Sequence, residues 1–159
     1  MFKTIKIEAG VYNRNNILFY FYASFKKIKM ANVSAVIHKE PYKTEIVSGQ
    51  NKLVSDEPVT NSGKGLGFSP NELLAASLAA CTSITLRMYA NKKNWALDTI
   101  VVDVDFERNE EKNTSDIIRK ISFTGNLDAE QKQRLMAIAD KCPIHKTLSG
   151  QINITTFAV

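Results

Sequence analysis

A chain of 159 residues with 44% hydrophobic content suits one domain with a real core. Its formal net charge of +5 does not make it a nucleic-acid binder, because residues 1 to 30 hold six basic side chains against the single acid Glu8, while the remainder carries 15 of each sign. Two cysteines are too few for a secreted disulfide framework, which points to a reducing, cytoplasmic setting, and no run approaches the ~20 apolar residues of a membrane span.

Residues 1 to 29 differ from everything after them. They hold seven of the fourteen aromatics, among them Phe19, Tyr20, Phe21 and Tyr22, with no clean helical or strand period. They read as an extension outside the core, with the domain proper running from Met30 to Val159; an extra strand or a membrane-surface arm is the sharper alternative. The run Ile17 to Phe25 follows Lys3 and Lys6 as a signal peptide would. It is aromatic rather than Leu/Ala-rich, however, is followed at once by Lys26, Lys27 and Lys29, and lacks a small-x-small cleavage site.

From Val33 to Val54 the pattern is one of short strands. Val33, Ala35 and Ile37 alternate with polar neighbours, Pro41 breaks the run, and Thr44 to Val47 leads into the turn Ser48-Gly49-Gln50-Asn51, so a small antiparallel meander is expected. Residues 55 to 67 read as a flexible approach to the next element. Their glycines do not form a phosphate-binding loop, since neither a strong strand before them nor a Gly-Lys-Ser/Thr ending is present.

Phe68 to Trp95 predicts one long helix. Ser69, Pro70 and Glu72 form a capping box with proline at the first helical position, and Lys92, Lys93 and Asn94 suit a C-terminus. The helix is apolar around most of its circumference and therefore belongs inside the protein, with Cys81 buried or half-buried near its middle. After it, Ile100 to Phe106 and Ile117 to Thr124 alternate as two strands of a hairpin, one face of the second carrying Ile117, Arg119, Ile121 and Phe123. The charged interval Glu107 to Asp116 is expected to join them as a loop. Asp128 to Gln131 repeats the capping pattern and opens a second, amphipathic helix ending close to Cys142, because Pro143 disfavours helical geometry before it. Pro143 to Leu148 suits a short helix stopped by Ser149-Gly150, and Gln151 to Phe157 suits a final strand.

The stretches SPNELLAASLAAC on the long helix and CPIHKTLSG after the second helix, with a hairpin between and a meander before, resemble the OsmC/Ohr family of osmotically inducible and organic hydroperoxide resistance proteins. The resemblance covers about residues 31 to 159. It implies an α+β fold of meander, central Cys-bearing helix, hairpin, second helix and final strand, in which two chains intertwine as a homodimer. It further implies thiol-dependent reduction of organic hydroperoxides by a peroxidase-like pair, Cys81 peroxidatic and Cys142 resolving. No cofactor, metal, nucleic acid or membrane belongs to that scheme, and a dithiol reductant of unknown identity completes it.

The sequence departs from the family in one respect. Peroxidase members pair the reactive cysteine with an arginine from the N-terminal strands and a glutamate directly after the helix-opening proline. Here no arginine occurs between residues 31 and 80, and Asn71 follows Pro70. Glu72 is no substitute, since nine residues at ~100° each place it about 180° around the helix from Cys81; Arg87, six residues on, is about 120° away. His38, Lys39 and Lys43 are the remaining candidates for a positive charge. Cys142, at the start of a short helix and beside Lys141 and Lys146, has the more favourable surroundings for a low thiol pKa than mid-helix Cys81. Three other readings stay open: two structural cysteines acting as small apolar side chains, a zinc site from Cys81, Cys142 and His145, and a non-catalytic dimer of this fold binding a small apolar molecule.

Overall fold

The computed structural model describes residues 31–158, so the aromatic segment before Ala31 and its expected role as an extension lie outside the described residues. Strands β1 (Ser34–Ile37), β2 (Thr44–Ser48) and β3 (Asn51–Ser55) form the antiparallel meander in the order β1-β2-β3. Ser34 opposes Val47, and Ser48 opposes Asn51 across a turn in which Gly49 takes φ 61°, a conformation that costs glycine little.

The following loop is tied down, not loose. The buried Asp56 carboxylate accepts backbone N–H groups from Glu57 at 2.9 Å and from Lys64 and Leu66 at 3.1 Å each. These bonds hold its carboxyl below the usual range, with the Leu66 amide the largest contributor. Gly67 passes so close to β3 that a Cβ there would strike the Val54 carbonyl. Sequence composition suggested flexibility because a carboxylate gathering distant amides leaves no local pattern.

Helix α1 spans Pro70–Lys93. Its capping box is present: Glu72 N–H donates to Ser69 Oγ at 3.3 Å, and Glu72 Oε2 accepts from Ser69 N–H at 2.7 Å. Asn94 closes the other end at φ 53°. Glu72 is thereby committed to the helix end.

Strands β4 (Ala96–Asn109) and β5 (Thr114–Asn126) form a long hairpin that packs on α1. Both strands run further than alternation alone predicted, through the charged residues to a turn at 110–113, because solvated side chains do not prevent the backbone ladder from continuing. A bulge between Leu97 and Thr99 bends the hairpin's base. There Gly125, at φ 120°, leaves room that a Cβ would take from the Ala96 carbonyl and the Asp98 amide.

Helix α2 (Ala129–Ala139) opens with the second capping box, Asp128 Oδ1 accepting from Gln131 N–H at 2.7 Å. Helix α3 (Pro143–Leu148) follows with Cys142 at its N-cap. Leu86 and Ala90 of α1, Leu97, Leu127, and Leu135 and Ala139 of α2 make the core, with Ile100, Ile121 and Phe123 packed against it. Tyr89 and Trp95 meet edge-to-face at 5.5 Å, and Arg134 Nε donates to Tyr89 Oη at 3.1 Å, joining α1 to α2.

Two expectations change. The final strand is absent within the chain: residues 151–158 form no ladder, with Ile154 87% and Phe157 81% exposed. An extended segment becomes a strand only when an edge accepts its N–H and C=O groups, and no strand among the described residues pairs with 151–158. The central helix is also not enclosed on all sides. Leu78, Thr82, Leu86 and Ala90 form its buried face, whereas Leu74, Ile84 and Met88 are exposed. At 24 residues α1 is long and apolar enough to cross a membrane; its buried face packs on β4, α2 and α3.

Candidate active site

Cys81 lies on α1 and Cys142 where α2 gives way to α3, 61 positions apart in sequence. The fold makes the two thiols neighbours that act on each other's titration, and both are free. Cys81 is half-buried, whereas Cys142 is fully buried. An incoming molecule therefore reaches Cys81 first.

Their surroundings differ in kind. Burial pushes the Cys81 thiol up and its hydrogen bond with Cys142 acts in the same direction, against the opposing pull of the Ile144 amide and the Thr85 hydroxyl. Burial also works against a Cys142 thiolate, but hydrogen bonding outweighs it: the Cys81 S–H, the His145 amide, the Thr82 hydroxyl and the Ile144 amide together hold this thiol below its usual value. The two amides face the sulfur without regular capping geometry. These causes act in opposite directions on the two thiols and favour Cys142 as the more acidic of the pair, as its position ahead of a short helix suggested.

A largely buried cation stands near the pair, one side chain removed from it. Arg119 on β5 is largely buried, its side chain 13% exposed; its Nη1 donates to Thr82 Oγ1 at 3.0 Å and to the Ala139 carbonyl at 3.2 Å, and its Nη2 donates to Asp140 Oδ1 at 2.8 Å. Thr82 is fully buried beside Cys142. The signal was present in the sequence, since Arg119 interrupts an otherwise apolar strand face of Ile117, Ile121 and Phe123. An arginine in that row needs buried acceptors.

The other candidates fall elsewhere. Arg87 donates to the Leu97 and Asp98 carbonyls, fixing β4 to α1. Lys43 lies 3.7 Å from Glu40, within the meander region, and His38 and Lys39 are exposed. The His145 ring sits 4.0 Å from Asp140, so this residue serves Cys142 through its backbone amide and not its imidazole. Among the described residues, no group of three or more His, Cys, Asp or Glu side chains is placed to hold a metal ion. An open groove lined by Tyr89, Trp95, Asp128, Gln131 and Arg134 includes neither cysteine.

Residues 63–157 match the family model described as OsmC-like protein. The chain belongs to the OsmC-like family. A hydroperoxide reductase of Mycoplasma pneumoniae is 26% identical over 128 residues, an alignment covering 77% of this chain and 89% of that protein. Among solved structures, an OsmC-like protein from Mycoplasma pneumoniae superposes with a TM-score of 0.67 at 22% identity, covering 77% of this chain and 89% of its own. The organic hydroperoxide resistance protein OhrB of Bacillus subtilis gives 0.55 at 26% identity, covering 76% and 90%. The OsmC-like α+β architecture is therefore established, and relatives named for hydroperoxide chemistry support a role in peroxide stress.

Proposed function

We propose that the chain reduces organic hydroperoxides through Cys81 and Cys142, as an intertwined homodimer in the cytoplasm, and is recycled by a dithiol reductant. The observation that carries this reading is the pairing of a reachable thiol with a buried one across α1 and α3. Cys81 passes its proton to the Cys142 thiolate and attacks the terminal peroxide oxygen. The O–O bond breaks, an S–O bond forms, and the departing alkoxide takes the proton back from Cys142. The regenerated Cys142 thiolate then attacks the Cys81 sulfenic sulfur, forming the disulfide and releasing hydroxide. The sum is one thiol, one thiolate and ROOH going to disulfide, ROH and OH⁻. A dithiol restores the pair by exchange.

The apolar stripe beside Cys81 favours organic over inorganic peroxide. Leu74, Ser77, Cys81, Ile84 and Met88 follow the 3,4 spacing of a packing seam, and Leu74, Ile84 and Met88 are exposed within the chain. A second copy covering that seam, and pairing with residues 151–158, accounts for both exposed surfaces.

A non-catalytic dimer binding a small apolar molecule is the second reading, favoured by Asn71 standing after Pro70 and by the commitment of Glu72 to its cap. The deciding assay follows cumene hydroperoxide and hydrogen peroxide consumption with dithiothreitol as reductant. Faster consumption of cumene hydroperoxide, abolished by Cys81→Ser, supports the enzyme; no consumption above the Cys81→Ser rate contradicts it.

A further inference from the structure

We infer that Arg119 is a positioning residue for Cys142: bound through Nη1 to Thr82 Oγ1, it turns the Thr82 hydroxyl hydrogen toward the Cys142 sulfur and supplies from β5 the positive charge that the strands before α1 do not. Thr82 Oγ1 accepts from the guanidinium at 3.0 Å, so its own hydrogen is left for another acceptor, and the buried Cys142 sulfur lies within its reach. The guanidinium is fixed in turn by the Ala139 carbonyl and by Asp140, which belong to the segment that delivers Cys142. One arginine therefore locks β5, the centre of α1 and the end of α2 around one sulfur.

The charged and titratable groups around Cys142 set the size and sign of the effect. Cys81 donates from α1; the exposed Lys141 and Lys146 flank in sequence; the His145 ring stands 4.0 Å from Asp140. Asp140 partly neutralises Arg119, so the cation acts on the sulfur mainly through the orientation of the Thr82 hydroxyl. Removing Arg119 or the hydroxyl makes the Cys142 thiolate harder to form, whereas removing the Asp140 charge makes it easier. The consequence for turnover rests on the hydroperoxide reading: with less Cys142 thiolate at neutral pH, the step in which it displaces hydroxide from the Cys81 sulfenic acid slows.

The test needs no peroxide. In a Cys81→Ser background, which keeps a hydroxyl donor and leaves Cys142 as the chain's only thiol, the absorbance of the thiolate near 240 nm is titrated against pH. Arg119→Met and Thr82→Val are each expected to raise the midpoint by about one unit or more, and Asp140→Asn to lower it. A merely structural arginine would move the melting temperature without this opposed pair of shifts. Should Arg119→Met fail to fold, Thr82→Val, close in shape to threonine, decides alone. An unchanged midpoint in folded Thr82→Val overturns the inference. Absence of peroxide consumption by the unsubstituted protein, with the shifts intact, would instead refute the proposed reaction and leave the relay standing.

Discussion

The two faces of α1 are made of similar residues and meet different fates. Leu78, Thr82, Leu86 and Ala90 are buried against the hairpin, α2 and α3, while Leu74, Ile84 and Met88 lie exposed, with half-buried Cys81 in the same row as the exposed three. Hydrophobicity alone does not separate them. The buried face follows a spacing of four that suits neighbours in the same chain, and the exposed stripe keeps the alternating three and four of a helix seam. Cys81 belongs to the exposed stripe yet is itself half-buried, beside Cys142 on one side and open to a substrate on the other.

The comparison is sharpest two positions apart. Leu86→Ala opens a cavity at a fully buried site and is expected to cost about 2–5 kcal/mol in urea unfolding. Ile84→Ala, on a side chain 60% exposed, is expected to cost about 0.5 kcal/mol or less in dilute protein. Its cost should grow with protein concentration if a second copy covers the stripe. An equal loss at both positions at every concentration would erase the distinction between the faces.

Placing charge on the stripe gives the next largest effect. Ile84→Asp together with Met88→Asp should leave the helical circular dichroism intact and convert a sedimenting dimer to monomer. A dimer that survives both changes must be held by another surface.

The loop feeding α1 offers a pH-dependent test. Because hydrogen bonds depress the folded-state pKa of Asp56, its contribution to stability is present above the unfolded value of about 3.9 and is lost as pH falls through the folded value. Asp56→Asn should therefore lower the melting temperature at neutral pH, and the gap to the parent should close as pH falls below about 4. A gap independent of pH would assign Asp56 a purely steric role.

The smallest effect expected is at Glu72. Glutamine also completes a capping box, so Glu72→Gln should leave cumene hydroperoxide consumption unchanged with at most a slight loss of melting temperature. A large fall in rate would return Glu72 to the chemistry.

What the sequence made legible were the features whose cause is local. Both capping boxes, the αL residue at Asn94 and the inward rows of the hairpin follow from a few neighbouring side chains, and each stands where it was expected. The greater acidity of Cys142 was also readable from its place ahead of a short helix. Non-local features were not. Asp56 gathers amides up to ten residues away, Arg119 finds Thr82 across 37 positions, and residues 151–158 show a strand pattern that pairs with no strand among the described residues. An all-round apolar helix announces that every side needs cover, but its sequence does not say which chain supplies it.

The central claim is that Cys81 and Cys142 act as one redox pair, and the most direct measurement is the intact mass of reduced protein after one equivalent of cumene hydroperoxide. The account predicts a loss of two hydrogens, a single peptide pair joined through Cys81 and Cys142, and a stable Cys81 sulfenic acid in Cys142→Ser. Unchanged mass, with both thiols still open to alkylation after unfolding, would contradict it.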